Sequence, residues 1–398
     1  MRRLTTFLLI IPLLMATAVP AAAQTTTKEL LSGMVTEEVE PGVYRVANDG
    51  VRDLLEADMI IVGDDGSVWA TQDEGPSGRA AFRLGGEIIE TQSEPWTVTS
   101  DGTLWDESLH TYDGERWTEH PAPTTDFDAD HLYNLGGTVW ATWPDPQQPQ
   151  QWAVARLDGD EWRRLDPLLM PSEPDETPPE AWQVELLTTE QGDLWAWTSR
   201  GAGFPEWTGD WGSAVMRRWV DGEWQEIFHK RSDQPWVVGL LALGPDGTMW
   251  LRRVESVLDE GGALSEGRVS LKSFDGNEWQ EWSLDDPYYL GVLAEEGAGG
   301  VDLGGLGVAP DGGLWLGPVE CWWEAETEEL IQRESPPTPH GLLRFDGGRL
   351  DRYAADVCIF DGYLGPDGSI WALSSTDPAD DHAFDLYVIT PEAVAGAE

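Results

Sequence analysis

Few residues of this chain have the spacing that catalysis requires. The six histidines form no His-x-x-x-His pair, the arrangement with which a helix binds zinc. Neither a Gly-x-Ser-x-Gly nucleophile elbow nor a phosphate-binding loop occurs. Because the chain holds 73 Asp and Glu residues, acidic pairs are abundant and no two stand out as an acid and a base. The sequence therefore favours binding over catalysis.

Carboxylates spaced to bind a cation are the clearer chemical feature. Asp126-Phe-Asp128-Ala-Asp130 alternates acidic residues, which in an extended segment turns all three side chains to one side. Acidic residues also precede, by about ten positions, most of the tryptophans that end a Gly-x-apolar-Trp phrase; these are Asp58, Glu94, Asp130, Glu185, Asp302 and Asp361. Ca²⁺ accepts about six to eight oxygen ligands in flexible geometry. We therefore expect a Ca²⁺ site formed by Asp58, Glu94, Asp126, Asp128, Asp130 and Asp361. Carboxylates screened by counterions in a water-filled channel are the alternative.

A repeat sets the elements that must position these residues. The phrase Gly-x-apolar-Trp occurs seven times, ending at Trp69, Trp105, Trp140, Trp195, Trp250, Trp315 and Trp371. The first and last of these tryptophans are 302 residues apart, so the mean period is about 50 residues. Between the copies lies a second phrase, two short strands joined by Asp-Gly, as in Val220-Asp-Gly-Glu-Trp224. Since Asp-Gly favours tight hairpins, each period holds two hairpins, or four short strands.

Four-stranded units repeated at this spacing are typical of propeller blades. We therefore predict an all-β fold, a seven-bladed β-propeller of four-stranded antiparallel blades. Gly42-Val-Tyr-Arg-Val46 is similar to Gly341-Leu-Leu-Arg-Phe345, which indicates that N-terminal strands form the outer part of the Trp371 blade. Joining the N- and C-terminal strands in one blade would close the ring and leave no exposed edge. Phe384 to Thr390 also has the pattern of a strand, so either terminus can supply the third strand of that blade.

The propeller phrases resemble a known type of repeat. Gly244-Pro-Asp-Gly-Thr-Met-Trp250 and Leu342-Leu-Arg-Phe-Asp-Gly-Gly348 resemble two-component-regulator propeller repeats, over about residues 42–390. Such repeats occur in sensor ectodomains and secreted bacterial proteins, so the resemblance implies a fold and no single function. Some secreted propellers similar to this chain are lyases of the streptogramin lyase type, with a histidine and a metal at the channel mouth. That resemblance implies an alternative function, a metal-dependent lyase or hydrolase, for which His131 at the start of an innermost strand is the best-placed catalytic residue.

The N-terminus has the three parts of a secretory signal peptide. Met1-Arg2-Arg3 is basic, Phe7 to Val19 is an apolar run too short to span a bilayer, and Ala21-Ala22-Ala23 offers a cleavage site. We expect a protein secreted to the extracellular or cell-envelope space, without membrane insertion. The predicted organisation is a signal peptide over 1–23, a linker over 24–41, the propeller over 42–391 and a tail over 392–398.

The net charge of −49 restricts the partners of this chain. Nucleic acids and anionic membranes are excluded, because binding them requires clustered Lys and Arg. Charge of one sign keeps a protein soluble and favours a monomer. A saline habitat and a cationic partner are both consistent with this acidity.

The predicted loops differ between the two faces of the disc. The tight turns of both hairpins lie on one face, the turn face, whereas the long insertions, such as Val254 to Glu266, lie on the other, the loop-rich face. Because loops on a rigid scaffold concentrate binding residues, we expect the chain to bind an extracellular protein or a small ligand there. Four tryptophans in these insertions are the predicted ligand contacts, with packing inside the loops as the alternative: Trp207, Trp211, Trp322 and Trp323. The tryptophans at repeated positions are expected to pack between blades instead.

The two cysteines, Cys321 and Cys358, are predicted at the loop-rich face of successive blades. An even number of cysteines in a secreted chain favours a disulfide between them. Two buried, unpaired thiols are the alternative.

Overall fold

The computed structural model describes most of the chain, in many short stretches. These are residues 27–32, 34, 36–46, 59–63, 65–73, 79–84, 88–91, 93, 95–124, 127, 132–145, 147–148, 150–171, 182–189, 191–200, 212–231, 233–234, 236–258, 264–283, 304–317, 341–355, 357, 359–375 and 384–395. Within them no helix is long and apolar enough to cross a membrane.

The described strands form antiparallel sheets, which we number I to VII along the chain. Sheet I consists of β3 (Met59–Val62), β4 (Val68–Asp73), β5 (Arg79–Arg83) and β6 (Ile88–Thr91). Sheet II consists of β7 (Pro95–Val98), β8 (Leu104–Asp106), β9 (His110–Tyr112) and β10 (Trp117–Glu119). Sheet III consists of β11 (Leu132–Leu135), β12 (Thr138–Pro144), β13 (Gln151–Asp158) and β14 (Glu161–Arg164), with β15 (Leu168–Leu169) also paired to β13.

The remaining sheets follow the same order of strands. Sheet IV consists of β16 (Gln183–Thr188), β17 (Leu194–Arg200), β18 (Ser213–Val220) and β19 (Glu223–Lys230). Sheet V consists of β20 (Trp236–Leu243), β21 (Met249–Leu258), β22 (Leu264–Phe274) and β23 (Trp279–Ser283). Sheet VI consists of β24 (Gly304–Val308), β25 (Leu314–Gly317), β26 (Leu342–Asp346) and β27 (Arg349–Tyr353). Sheet VII consists of β28 (Ile359–Leu364), β29 (Ile370–Ser375), β30 (Phe384–Ile389), β2 (Val43–Val46) and β1 (Thr36–Glu40).

Apolar clusters join each sheet to the next. Trp105 of sheet II packs with Leu132 of sheet III, and Trp195 of sheet IV packs with Met249 of sheet V. Equivalent clusters join sheets I and II, III and IV, V and VI, and VI and VII. The cluster containing Trp371 and Ile60 joins sheet VII back to sheet I, so the sheets follow one another around a closed ring. The predicted all-β propeller is therefore confirmed, as is the packing role of the tryptophans that end the repeated phrase.

The hairpins between the first and second strands have a common turn. In six sheets it contains a glycine whose φ lies between 77° and 91°, a backbone conformation that other residues rarely adopt: Gly66, Gly102, Gly192, Gly247, Gly312 and Gly368. In five of these turns an aspartate oxygen accepts the N–H two residues further on, at 2.9–3.1 Å: Asp65, Asp101, Asp246, Asp311 and Asp367. The repeated acidic residue of the turn face is thus used to shape the hairpin.

Strands from both termini meet in sheet VII, as predicted, and the structure shows which terminus supplies the third strand, a point that the sequence left open. Gly42–Val46 was assigned by its similarity to a third strand, whereas β30 is the third strand and β2 pairs with it as the fourth. Strand β1 adds a fifth. The hairpin of β1 and β2 can join the sheet at one unpaired edge, and β30 provides that edge on the side opposite β29.

Two short helices flank the ring closure. Helix α1 (Thr27–Ser32) and strand β1 both fall within residues 24–41, and the Thr27 N–H donates to Asp367 Oδ2 at 3.0 Å. Helix α2 (Pro391–Ala395) lies against Gly42, whose φ is 75° and where a Cβ would come within 2.6 Å of Ala393. Only glycine fits at that position.

Candidate functional site

Most of the predicted site residues lie outside the described residues. This holds for His131, Trp207, Trp211, Trp322, Trp323, Asp58, Glu94, Asp126, Asp128, Asp130, Asp302, Cys321 and Cys358. Strands β3, β7 and β11 begin at Met59, Pro95 and Leu132, each next to one of these residues. The calcium site, the loop tryptophans, the catalytic histidine and the disulfide therefore stay predictions.

Asp361 is the described member of the predicted calcium site, and its carboxylate is already engaged. The Tyr363 hydroxyl donates to Oδ2 at 2.7 Å, and the Gly362 N–H contacts Oδ1 at 2.8 Å. Burial, reinforced by the neighbouring Asp361 charge, raises the pKa of Tyr363 well above its ordinary value. Among the residues that the structure describes, no three His, Cys, Asp or Glu side chains are grouped to hold a metal ion.

A different group of residues comes together at the loop-rich end of sheets IV and V. Glu185 pairs across the sheet with Trp197, and Lys230 pairs with Ala214; both partners belong to the apolar cluster between the two sheets. In sheet V, Trp236 and Arg253 lie two residues from Val238 and Leu251 of the same cluster. Because side chains two apart on a strand share a face, Glu185, Lys230, Trp236 and Arg253 all face the same seam. We call these four residues the mouth cluster.

Trp236 is the centre of the mouth cluster. Lys230 Nζ is 5.6 Å and Arg253 Cζ 5.0 Å from the centroid of its indole ring, distances at which a cation is attracted to the ring. Lys230 is only 1 % exposed, and its Nζ donates to the Gly212 carbonyl at 2.6 Å. A charge buried this deeply needs such partners, since desolvation alone would be unfavourable. Lys230 thus positions the indole and adds positive charge beneath it.

Arg253 is held at the base of a long hairpin. Its Nη1 lies 3.3 Å from Glu281 Oε1, and Lys272 Nζ lies 3.2 Å from Oε2 of the same carboxylate. Burial opposes ionisation of Glu281, but the Ser270 hydroxyl and the two cations outweigh it and lower the pKa of that carboxyl. Strands β21 and β22 extend beyond the level of Trp236, which pairs with Glu255. Much of the predicted Val254 to Glu266 insertion is therefore regular hairpin.

Glu185 lies on the innermost strand of sheet IV, and its cross-strand partner Trp197 belongs to the same seam as the mouth cluster's other members. The Glu185 side chain is exposed by its accessible surface, although protein atoms lie around its carboxyl, and the desolvation that they cause raises the pKa of Glu185. The Tyr133 hydroxyl of sheet III donates to the carbonyl of the adjacent Val184. Burial, together with the nearby Glu185 charge, raises the pKa of Tyr133 to about 12. Glu185 is thus an accessible carboxyl whose pKa lies above its ordinary value.

The local charge around the mouth cluster differs from the rest of the chain. Residues 200–272 contain eleven of the 73 acidic residues but nine of the 24 basic ones: Arg200, Arg217, Arg218, Lys230, Arg231, Arg252, Arg253, Arg268 and Lys272. Over the full extent of sheets IV and V, residues 183–283, there are seventeen acidic and nine basic residues, so this sector is less acidic than the rest of the chain but still negative.

A second polar pair lies in sheet II. Asp106 is fully buried, accepts the His110 N–H at 2.8 Å and lies 3.1 Å from His110 Nδ1. These contacts close the short turn between β8 and β9, which supports a structural role. His120 stacks on Trp105 with ring centroids 4.8 Å apart, on the side of the sheet that faces sheet III.

Sequence reasoning singled out Glu185 but missed Lys230, Trp236 and Arg253. Trp236 lies outside both repeated phrases, and this departure from the repeat is the sequence feature that could have identified it as a candidate site residue. The contact itself joins residues of two sheets, and no local spacing in the sequence encodes it.

No protein-family model and no curated protein sequence matches the chain, so the resemblance to two-component-regulator repeats stays an expectation. Among solved structures, the polysaccharide lyase Uly1 is 10 % identical, with a TM-score of 0.48 over 92 % of this chain and 95 % of that one. The β-propeller domain of the Trilobed protease from Pyrococcus furiosus is 11 % identical, with a TM-score of 0.38 over 87 % and 83 %. The GH93 α-L-arabinofuranosidase of Fusarium graminearum is also 11 % identical, with a TM-score of 0.38 over 84 % and 93 %. Identities this low concern the fold alone.

Proposed function

We propose that this chain is a secreted, monomeric, seven-bladed β-propeller that binds a ligand without transforming it, at the loop-rich mouth of its channel. The seven sheets and the seven apolar clusters between them support the blade number. The signal-like N-terminus supports secretion.

The proposed site rests on one observation, that the indole of Trp236 lies close to two cationic side chains in an acidic molecule. Trp236 offers a ring face, while Arg253 and Lys230 add positive charge at the same seam. A ligand that matches both features has a flat apolar face and a negative charge, as a saccharide containing uronic acids does. Elsewhere the excess of carboxylates would repel such a ligand.

Equilibrium binding of defined probes tests this proposal. The probes are a galacturonic acid oligomer, a neutral glucose oligomer of equal length and an octa-arginine peptide, titrated calorimetrically into the full chain. We expect the uronate oligomer to bind wild type, and Trp236→Ala to weaken it about tenfold, equivalent to about 1.4 kcal/mol. Arg253→Met should weaken the uronate oligomer while sparing any binding of the neutral one.

Leu169→Ala is the matched control, because Leu169 is an exposed apolar residue of sheet III, away from the seam. Equal affinity of wild type and Trp236→Ala for the uronate oligomer would reject the proposed site. Equal binding of neutral and acidic oligomers would reject the proposed charge selection.

A lyase or hydrolase with its site at the channel mouth is the second candidate, favoured by the raised pKa of Glu185. A carboxyl with a raised pKa is better suited to act as a general acid. Incubating the uronate oligomer with the protein, with and without added Ca²⁺, and following new chain ends by mass spectrometry tests it. Cleavage that is lost in Glu185→Gln would replace the binding proposal by this one, and His131→Ala would then test the predicted histidine.

A further inference from the structure

The outer hairpins carry tryptophans at equivalent positions, and two of them make the same structural contact. Trp162 Nε1 of sheet III donates to the Pro121 carbonyl at 2.6 Å. Trp224 Nε1 of sheet IV donates to the Asp166 carbonyl at 2.9 Å. Each acceptor lies just beyond the last strand of the preceding sheet, so these indoles tie neighbouring sheets together at the rim.

Trp279 occupies the same position in sheet V but is used differently. It is 41 % exposed, whereas Trp162 and Trp224 are half-buried and pack against apolar clusters. Within the described part of the chain, its indole N–H has no hydrogen-bond acceptor. The structural reason for a tryptophan at this repeat position therefore does not apply to Trp279.

Trp279 is the outermost ring of a continuous aromatic patch between sheets IV and V. Its ring lies 4.9 Å from Phe274 at an interplanar angle of 29°, and 5.4 Å from Phe228. Phe228 in turn stacks on the buried Trp197, with centroids 6.2 Å apart. The patch is thus anchored to the core and presents a rigid indole face at the rim.

The charge beside this aromatic patch is negative. Asp275 and Glu278, in the turn that precedes Trp279, are both exposed. Two N–H groups, of Asn277 and Glu278, donate to Asp275 Oδ1 at 2.8 Å and lower the pKa of that carboxyl, which keeps it ionised. An exposed indole beside carboxylates attracts cationic side chains, Arg more often than Lys.

We propose that the aromatic patch of Trp279, Phe274 and Phe228 is a docking site for an Arg- or Lys-rich segment of a partner protein. The net charge of −49 favours approach of such a segment, and the patch gives it a defined place to bind. This site lies at the rim and takes a cation, so it is independent of the proposed anion site at Trp236.

Binding of a fluorescein-labelled octa-arginine peptide tests the proposal, measured by anisotropy near physiological salt to reduce non-specific attraction. We expect Trp279→Ala to weaken the peptide at least fivefold, equivalent to about 1 kcal/mol. Trp279→Phe should retain most of the affinity, and Glu278→Gln should weaken it less than Trp279→Ala does. Leu169→Ala, which removes an exposed apolar side chain elsewhere, should leave it unchanged.

Three results would overturn the proposal. Equal affinity of wild type and Trp279→Ala would mean that the overall charge alone attracts the peptide. Loss of a wild-type dimer in Trp279→Ala, seen by sedimentation, would mean that the patch binds a second copy. A loss of peptide affinity in Trp236→Ala as large as that in Trp279→Ala would mean that the peptide binds at the Trp236 site. Thermal melting determines whether each variant is folded. If Trp279→Ala does not fold, the peptide affinities of Trp279→Phe and Glu278→Gln are compared with that of wild type instead.

Discussion

Carboxyl groups in this chain have different roles, which depend on the groups that surround them. The turn aspartates accept backbone N–H groups, Asp361 accepts the Tyr363 hydroxyl, and Glu185 is placed where burial opposes its charge. Counting acidic residues along the sequence cannot separate these roles, because each depends on which donors surround the carboxyl in the fold. Among the carboxyl groups that the structure describes, Glu185 has a raised pKa and lies near the start of an innermost strand.

Replacing Glu185 by Gln should stabilise the protein at neutral pH. The folded pKa of Glu185 is raised above 4.5, so its contribution to stability is fully present below the unfolded pKa and is lost as the pH rises through the folded pKa. Glutamine cannot ionise and avoids that loss. We expect Glu185→Gln to melt at a higher temperature than wild type at pH 7, with the difference vanishing near pH 4.

Glu119→Gln serves as the control, because Glu119 is an exposed carboxylate on β10. It should not reproduce the pH-dependent gain. A gain for Glu185→Gln that is the same at pH 4 and pH 7 would contradict burial of an ionisable carboxyl as the cause.

At the scale of elements, the inner hairpins were the most predictable part of the fold. Gly-x-apolar-Trp combines a residue that tolerates positive φ with apolar residues for the strand that follows, and both requirements are local. The hydrogen bonds of Asp101 were not predictable from the sequence. Its Oδ1 accepts from the Thr99 hydroxyl at 2.7 Å and from the Thr103 N–H at 3.1 Å. Burial opposes ionisation, but these hydrogen bonds outweigh it and lower the pKa of Asp101.

Asp101→Ala should therefore destabilise the protein at pH 7, by about 1 kcal/mol per hydrogen bond lost. Because the folded pKa lies below 3.8, the contribution is present above the unfolded pKa and is lost as the pH falls through the folded one. Denaturant unfolding of wild type and variant at pH 7 and pH 2.5 measures this. A stability difference that is undiminished at pH 2.5 would contradict the role of the ionised carboxylate.

Other elements were not predictable, for identifiable reasons. Helix α1 and strand β1 lie within residues 24–41, which were predicted to be a linker. They were missed because neither element belongs to the repeat. The sequence did not determine the order of strands in sheet VII, because strand patterns near both termini were candidates for pairing with β29. The mouth cluster depends on contacts between sheets IV and V, which the periodicity within each sheet does not determine.

At the scale of the whole molecule, pairing between N-terminal and C-terminal strands closes the ring in sheet VII, and β1 forms the outer edge of that sheet. Strand β2 pairs with β30 from Val43 to Val46, and the cluster of Val46, Ile60 and Trp371 continues that closure into sheet I. The sequence predicted this closure of the ring, because completing the Trp371 blade required strands from both termini.

A Cys321–Cys358 disulfide would add a covalent link to this ring. In the chain-entropy model, closing a loop of that length stabilises a protein by about 3–4 kcal/mol. We expect no reactive thiol in the denatured, unreduced protein and two after reduction, measured with a chromogenic thiol reagent. Two reactive thiols before reduction would mean that the cysteines are unpaired.

We propose that the ligand binds at the loop-rich mouth of the ring, between sheets IV and V. A crystal structure of the full chain soaked with the galacturonic acid oligomer tests it most directly. We predict difference density for a sugar ring against Trp236, with a carboxylate oriented towards Arg253, and no such density in crystals of Trp236→Ala. Density on the turn face, or density at the mouth that persists in Trp236→Ala, would contradict the claim.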